Sequence, residues 1–194
     1  MARIPLDTIL EFDKNLFYII NTRLTSGVLD AYMPFVSDKS NFYAVILLGA
    51  LIMLASDWKK GLRNFIVLAI AVGASDLSGG LIKNLLMRVR PCHALEGVKL
   101  LSACGKAYSF PSGHAMNIFA AMVFLTTRYR RFWPLFLFIA LSVSYSRVYV
   151  GAHYPLDVAG GAAFGSAVAY LFFMADKTLV RRIINRTADR QEGH

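Results

Sequence analysis

Long apolar runs alternate with short polar segments along this chain, and these runs are the first guide to its fold. Five of them are predicted to span a membrane, at residues 41–56, 64–87, 112–127, 132–149 and 156–174. Several are shorter than the roughly 20 residues that a bilayer core requires. Aromatic residues at their edges, such as Phe42 and Trp133, extend them into the interface. The pattern predicts an all-α integral membrane protein, a bundle of five transmembrane helices.

The first forty residues follow a different pattern. Within residues 6–20, apolar side chains recur at roughly helical spacing, which favours an amphipathic helix lying on the membrane. The alternative is a poor first span, which would make six transmembrane helices. A short element at 28–37 follows and is broken by Pro34. The predicted parts are an N-terminal interfacial segment (1–40), a transmembrane domain (41–175) and a basic cytoplasmic tail (176–194).

Composition agrees with a membrane location. Hydrophobic residues make up 56% and charged residues 17% of the 194 positions, which is too apolar for an ordinary soluble domain. The net charge of +9 would suit a nucleic-acid-binding protein. However, the basic residues cluster beside apolar runs, which is typical of cytoplasmic loops. The clusters are Lys59, Lys60 and Arg63; Arg128, Arg130 and Arg131; and Lys177, Arg181, Arg182, Arg186 and Arg190. Nucleic acid is therefore not expected as a partner, and the lipid bilayer is.

Placing these basic clusters in the cytoplasm orients the spans. Segments 88–111 and 148–155 then lie on the opposite, extracytoplasmic face. The N-terminus shows no cleavable signal pattern, so we expect the internal spans to direct insertion.

Three polar islands interrupt the apolar pattern, and all three fall on the predicted extracytoplasmic face. They are Lys83-x6-Arg90-Pro91, Pro111-Ser112-Gly113-His114 and Ser146-Arg147-x5-His153-x3-Asp157. Charge at the edge of lipid is costly unless it is neutralised or used. The cations Lys83, Arg90 and Arg147 therefore indicate a site for an anion, and the apolar surroundings indicate an anion carried by a lipid.

The first two islands each allow a simpler interpretation. Lys83 and Arg90 lie close to two helical turns apart, with Pro91 predicted to end the helix, but snorkelling side chains would give the same pattern. Ser112 and Gly113 are predicted to open a helix whose N–H groups can bind an anion, with His114 in its first turn. An ordinary N-cap beside an interfacial histidine is the alternative.

The third island combines an imidazole and a carboxylate. His153 and Asp157 are four positions apart, so they share a face if the helix has already begun. A carboxylate bonded to one ring nitrogen fixes the tautomer and raises the basicity of the other nitrogen, as a nucleophilic histidine requires. The alternative is an aspartate at a helix start beside a bystander histidine.

Taken together, the islands resemble the three-part signature of the type 2 phosphatidic acid phosphatase superfamily. That signature reads K-x6-R-P, P-S-G-H and S-R-x5-H-x3-D, and every position is matched with its internal spacing. The islands cover residues 83–157, and the layout of spans extends the likeness to about residues 40–175. The resemblance implies a metal-independent lipid phosphatase without a cofactor.

The resemblance also implies a role for each signature residue. His153 would be the nucleophile that becomes a phosphohistidine, Asp157 would orient it, and His114 would protonate the leaving oxygen. The phosphate would be held by Lys83, Arg90, Ser112, Gly113 and Arg147. Phosphoryl transfer depends mainly on positioning and on stabilising the charge of the equatorial oxygens. Three cations and a helix end supply both without a metal.

The expected partner is a phosphorylated membrane lipid, with undecaprenyl diphosphate as the first candidate. Lipid A 1-phosphate is the second, followed by phosphatidylglycerol phosphate and phosphatidic acid. We expect a multi-pass protein of the bacterial inner membrane whose active site faces the periplasm or exterior. The sequence leaves the oligomeric state open.

Three other functions fit the pattern less well. A transporter would carry its charges near the midplane rather than at one face. A zinc enzyme would show a familiar ligand spacing, and none is present among the histidines. A vanadate-dependent peroxidase would have a similar anion site, but the spans favour a lipid substrate.

Four further residues have predicted roles outside the signature. Cys92 and Cys104 lie in the segment between the first two islands and are predicted to form a disulfide in an oxidising compartment, with two free thiols as the alternative. Asp76, in mid-span, is predicted to make an interhelical hydrogen bond or to pair with a buried cation. His93 is either a contact for a lipid head group or an exposed loop histidine.

Overall fold

The regular elements of this chain are helical throughout the part that the structure describes. The structure is a computed structural model and describes residues 5–105 and 108–192, with the side chains of 44, 45, 56 and 180–192 excepted. The helices are α1 (Leu6–Tyr18), α2 (Gly27–Ser37), α3 (Tyr43–Ser56), α4 (Trp58–Leu86), α5 (Pro91–Ala94), α6 (Gly113–Arg128), α7 (Trp133–Tyr149) and α8 (Pro155–Glu192).

Helix length and apolar composition confirm a helical membrane protein. Within the described residues, three stretches qualify as spans: Trp58–Ala94, Arg130–Tyr149 and Pro155–Leu179. A fourth is obtained if Gly27–Ser37 and Lys39–Ala55, which meet at 74°, are counted as one broken span. Helices α3 and α6 have 14 and 16 residues, fewer than the roughly 20 of an average span. The count of five spans therefore stays a prediction.

Helix α6 lies at the centre of the bundle and packs against α4, α7 and α8. Its contact with α8 is unusually close. A Cβ added at Gly161 would lie 2.6 Å from the Ser112 carbonyl oxygen, and one at Gly165 would lie 2.1 Å from that of Met116. Glycine lets the two backbones touch, as is common between membrane helices. This contact holds the second polar island, at the start of α6, against the start of α8.

Gly165→Ala is expected to lower the thermal unfolding midpoint in detergent. The added methyl group would overlap the backbone of α6, and overpacking typically costs about 1–3 kcal/mol. Gly73→Ala is the matched control, because a Cβ there would meet nothing within 4 Å. It should unfold at or above the wild-type temperature, since alanine favours a helix over glycine. Equal midpoints for the two variants would contradict the close approach of α6 and α8.

Ionic contacts tie the helices together at the end of the bundle opposite the islands. Arg63 of α4 and Arg128 of α6 both pair with Asp176 of α8. The stretch of α8 between Asp157 and Asp176 is about 29 Å long at 1.5 Å per residue. That length is close to the thickness of the hydrocarbon core. The islands and the basic clusters therefore lie at opposite ends, as the charge pattern predicts.

Two predictions about where a proline interrupts a helix were wrong. Helix α4 ends at Leu86 and not at Pro91, because Met87 adopts a left-handed conformation (φ 46°) and its N–H closes the helix on the Lys83 carbonyl. Pro91 instead occupies the first position of α5, where its missing N–H is not needed. Helix α2 runs through Pro34, which was predicted to break this element. Helix α8 continues to Glu192, beyond the predicted membrane span that ends at residue 174.

Asp76, in the middle of α4, forms an interhelical hydrogen bond. Asn117 on α6 donates a hydrogen bond of 3.0 Å to the carboxylate of Asp76 on α4. The predicted interhelical hydrogen bond is therefore confirmed.

The N-terminal segment forms helix α1 as predicted, but the stripe that it buries is polar as well as apolar. Asp13 and Phe17, and Asn21 in the helical turn that follows α1, are each at most 1% exposed, whereas Leu6 and Phe12 are largely exposed. Helix α1 packs on α8, and α2 packs on α7. The outward apolar side chains suit contact with a membrane surface, and the interfacial placement of α1 remains a prediction.

Candidate active site

The three polar islands meet at one end of the bundle through direct hydrogen bonds. The Ser112 N–H donates to the Asp157 carbonyl at 2.9 Å, which joins the second island to the third. The Lys83 ammonium donates to the Pro111 carbonyl, which joins the first island to the second. Arg90 lies 3.1 Å from the ring of His153, which joins the first to the third.

His153 lies in the loop between α7 and α8 and is 1% exposed. Its Nε2 is 3.1 Å from Nη1 of Arg90. Because a guanidinium can only donate, Nε2 accepts this bond and the ring proton of a neutral imidazole lies on Nδ1. Nδ1 faces Oδ2 of Asp157 at 3.6 Å, which exceeds a hydrogen bond but allows strong charge interaction. The lone pair of Nε2 therefore points toward the cations.

The protonation state of His153 suits a nucleophile. Burial, helped by the charges of Arg90 and Arg147 and opposed by Asp157, lowers the pKa of its imidazole to about 4. A histidine with a lowered pKa is uncharged above that value, so the ring is neutral at pH 7. A neutral imidazole has a free lone pair, which nucleophilic attack requires.

Asp157 is completely buried in the first turn of α8. Its Oδ2 accepts a hydrogen bond of 2.9 Å from the Tyr154 N–H, and its Oδ1 accepts one of 2.7 Å from Arg88. Two donors thus fix the plane of the carboxylate. The oxygen bonded to Tyr154 is the one that faces His153.

Two of the island cations, Arg90 and Arg147, are withdrawn from solvent. Arg90 is 8% and Arg147 is 7% exposed. Arg90 donates to the Ala152 carbonyl at 3.1 Å, and Arg147 donates to the Ser37 hydroxyl of α2. Nε of Arg147 is buried and has no hydrogen-bond partner within the described residues. Arg147, a buried cation held by a neutral hydroxyl, is therefore well placed to receive an anion.

The start of α6 completes the site. Ser112 occupies the N-cap position as predicted, but its hydroxyl makes no capping bond. That hydroxyl is buried without a partner among the described residues, and a Cβ at Gly113 would meet open space. His114, in the first turn, lies within electrostatic range of Arg147 and Arg90. The helix N-terminus therefore faces the same region as the cations.

Three residues that the sequence prediction missed contact the site. Arg88 binds Asp157, Asp13 binds Arg88, and Ser37 binds Arg147. Arg88 lies inside the first island, two positions before Arg90, but is not a signature position. One feature of the sequence could have indicated a buried role for Asp13, because this residue interrupts the apolar stripe of α1 four positions before Phe17. No such feature marked Ser37, because its contact with Arg147 depends on the fold.

The cysteines lie in the segment that covers Arg90. Cys92 and Cys104 form a disulfide with their Cα atoms 6.3 Å apart, and a Cβ at Gly105 would come within 3.3 Å of the Arg90 guanidinium. Exposed His93 lies 3.2 Å from the Cys104 sulfur. The potential metal-ligand atoms of these two cysteines and His93 lie within 4.8 Å of one another. Sulfurs joined in a disulfide, however, offer no thiolate to a metal.

A membrane-bound phosphatase is the class that this fold and site define. The model of the PAP2 superfamily matches residues 64–181, and the chain belongs to this superfamily. It is 33% identical over 169 residues to the undecaprenyl-diphosphatase of Sulfolobus acidocaldarius, covering 86% of this chain and 80% of that one. It is 31% identical over 139 residues to the lipid A 4'-phosphatase of Bacteroides thetaiotaomicron, covering 67% of this chain and 61% of that one.

A solved structure agrees with the fold. It is the first transmembrane PAP2 type phosphatidylglycerolphosphate phosphatase from Bacillus subtilis, with a TM-score of 0.70 and 23% sequence identity, covering 89% of this chain and 88% of that one. The family inferred from the three islands is thus confirmed, and with it the prediction of an enzyme.

Proposed function

We propose that this protein hydrolyses the phosphate or diphosphate of a membrane lipid at the extracytoplasmic face, through a phosphohistidine at His153. The observation that carries the proposal is the direction of the His153 ring. Its Nε2 lone pair faces Arg90 at 3.1 Å and its Nδ1 faces Asp157 at 3.6 Å. One nitrogen is therefore available for attack, and the other faces a carboxylate that stabilises positive charge.

In the first step, Nε2 of His153 attacks phosphorus and the bond to the lipid oxygen breaks. Arg90, which donates to Nε2 before substrate binds, transfers this hydrogen bond to a phosphate oxygen. Asp157 stabilises the charge that develops on the imidazole. His114 donates a proton to the leaving oxygen, which would otherwise depart as an alkoxide or phosphate anion.

In the second step, water attacks the phosphohistidine and His114 accepts its proton. Lys83, Arg90 and Arg147, together with the Ser112 hydroxyl and the Gly113 N–H, stabilise the equatorial oxygens in both steps. Orthophosphate leaves, and His153 returns to its neutral state. The proposed residues need no metal for either step.

Undecaprenyl diphosphate is the proposed substrate. The relative named undecaprenyl-diphosphatase is 33% identical over 86% of this chain, whereas the relatives named lipid A 4'-phosphatase are 31% identical over 67% and 27% identical over 87% of it. We therefore place a lipid A phosphate second. The protein is proposed to lie in the bacterial inner membrane with five spans, α1 at the interface and the active site facing the periplasm or exterior.

Phosphate release from a panel of purified lipids tests this proposal. The panel comprises undecaprenyl diphosphate, lipid A, phosphatidylglycerol phosphate and phosphatidic acid, each in detergent with and without EDTA. We expect the highest kcat/KM with undecaprenyl diphosphate, no loss with EDTA, and inhibition by orthovanadate, which mimics phosphate. Highest turnover with lipid A would change the substrate assignment. Loss of activity with EDTA would contradict a metal-independent mechanism.

A further inference from the structure

The described part of the N-terminal segment, residues 5–40, lies outside the part of the chain that the family model matches. Two of its side chains nevertheless contact the active site. Ser37 accepts a hydrogen bond from Arg147, and Asp13 forms an ion pair with Arg88. The Asp13 contact reaches the residue proposed to stabilise the nucleophile, because Arg88 also binds Asp157.

Asp13 is buried, with 1% of its surface exposed, and both of its carboxylate oxygens are engaged. Oδ2 accepts a hydrogen bond of 2.6 Å from Arg88, and Oδ1 accepts one of 2.8 Å from the Leu156 N–H. Leu156 directly precedes Asp157 in the first turn of α8. Asp13 therefore holds both a side chain that binds Asp157 and the backbone from which Asp157 projects.

Arg88 bridges the two carboxylates. Its Nη1 lies 2.7 Å from Asp157 and its Nη2 lies 2.6 Å from Asp13, while its guanidinium lies 4.1 Å from the centre of the Tyr154 ring. The two nitrogens are held in one rigid plane. Because of this geometry, rotation of the Asp157 carboxylate would disturb the contact with Asp13.

The charges of Asp13, Arg88 and Asp157 also favour the proposed chemistry. Arg88 paired with Asp157 alone would neutralise the carboxylate that is to stabilise a positively charged His153 ring. A second carboxylate shares the guanidinium, and the three groups then carry a net charge of −1. The negative potential at His153 is thereby retained, although Asp157 is held by a cation.

We propose that Asp13 is a positioning residue for phosphoryl transfer, acting through Arg88 and the Leu156 N–H on the Asp157 carboxylate. The inference rests on the proposed function, in which Asp157 stabilises His153. The competing explanation is that Asp13 only fastens α1 to the bundle.

Asp30 provides a matched control for that competing explanation. It is also an aspartate of the N-terminal segment that pairs with a cation of the 88–111 segment, Lys99, at 2.6 Å. It further accepts a hydrogen bond of 2.7 Å from Tyr149. Asp30 thus fastens the N-terminal segment without a described contact to Asp157 or to Arg88.

The test compares Asp13→Asn with Asp30→Asn in steady-state turnover of undecaprenyl diphosphate in detergent. Asp13→Asn is expected to lower kcat about 10- to 100-fold, the scale of one charge-assisted hydrogen bond. KM should change by less than about threefold, since Asp13 is not proposed to touch substrate. Asp30→Asn should keep kcat within about threefold of wild type. Equal kcat losses in the two variants, or none in Asp13→Asn, would overturn the proposal.

A double-mutant cycle tests the route through Arg88. Arg88→Gln should lower kcat, and adding Asp13→Asn to it should cost little more, because the link is already broken. Fully multiplicative losses would overturn this route. If Asp13→Asn does not fold, Arg88→Lys tests the same link, because lysine keeps the charge but lacks the guanidinium fork. Wild-type kcat in Arg88→Lys would also overturn the proposal.

His153→Ala is measured in parallel to distinguish a failure of the proposed function from a failure of the proposed role of Asp13. Turnover retained in His153→Ala would overturn the proposed function. An inactive His153→Ala together with a fully active Asp13→Asn would overturn only the role of Asp13.

Discussion

His153→Ala is expected to release no phosphate above background and to form no covalent phosphoenzyme. The variant removes the only atom proposed to bond to phosphorus, Nε2, which faces Arg90 at 3.1 Å. Loss of a nucleophile of this kind removes about 10⁶-fold in rate in a well-studied hydrolase. The measurement combines phosphate release with a rapid-quench assay, using undecaprenyl diphosphate labelled at the terminal phosphate.

His93→Ala is the matched control for this variant. His93 is an exposed histidine in α5, three positions after Arg90 in sequence. It is expected to keep turnover within about threefold of wild type, the scatter usual for surface substitutions. Thermal unfolding in detergent establishes that both variants are folded. Substantial turnover by folded His153→Ala would refute the nucleophile assignment.

Arg90→Lys is expected to lower kcat/KM about 10²- to 10³-fold, the cost of losing one well-placed donor to a developing anion. Lysine keeps the positive charge but lacks the planar fork of donors. A lysine ammonium at position 90 cannot both hold the Ala152 carbonyl and reach the phosphate attacked by His153 with fixed geometry. Inhibition by orthovanadate should weaken in parallel, because vanadate occupies the same proposed site.

Arg131→Lys is the control for Arg90→Lys. Arg131 is exposed in the turn between α6 and α7, at the end of the bundle opposite the site. Its variant should match wild type in both turnover and vanadate inhibition. A similar loss in both variants would indicate a general effect on the protein, and wild-type behaviour of Arg90→Lys would contradict the proposed phosphate contact.

The contacts of Asp13 and Ser37 extend the site beyond the three signature islands. The family model matches residues 64–181, but two of the supporting contacts come from α1 and α2. The contacts around the site therefore cross the predicted boundary at residue 40, between the interfacial segment and the phosphatase domain.

The predictions that succeeded depended on local chemistry. Apolar runs placed both ends of α3, α6 and α7 within about two residues, because a helix in lipid must satisfy its own backbone hydrogen bonds. The placement of the islands at one end followed from the basic clusters beside the spans. Asp76 was expected to find an interhelical partner because an isolated carboxylate in mid-span is costly, and Asn117 supplies it.

The predictions that failed concerned how the backbone turns between elements. Lys83 and Arg90 were expected to address one region because they are close to two helical turns apart, yet α4 ends at Leu86 and Arg90 lies beyond the turn. A left-handed methionine such as Met87 has no clear sequence signature, because glycine or asparagine usually occupies that conformation. Helical periodicity was therefore the wrong argument for placing these two cations in one region.

By itself, the sequence determined a helical membrane protein, its family and the residues of its signature, because these follow from composition and fixed spacing. Only the tertiary structure decided which way the His153 ring faces and which groups hold Asp157. Arg88 and Asp13 are 75 positions apart, and Asp13 and Leu156 are 143 apart. No local pattern encodes such pairs. They form because packing of α1 against α8 buries a carboxylate that must then find a cation and an N–H donor.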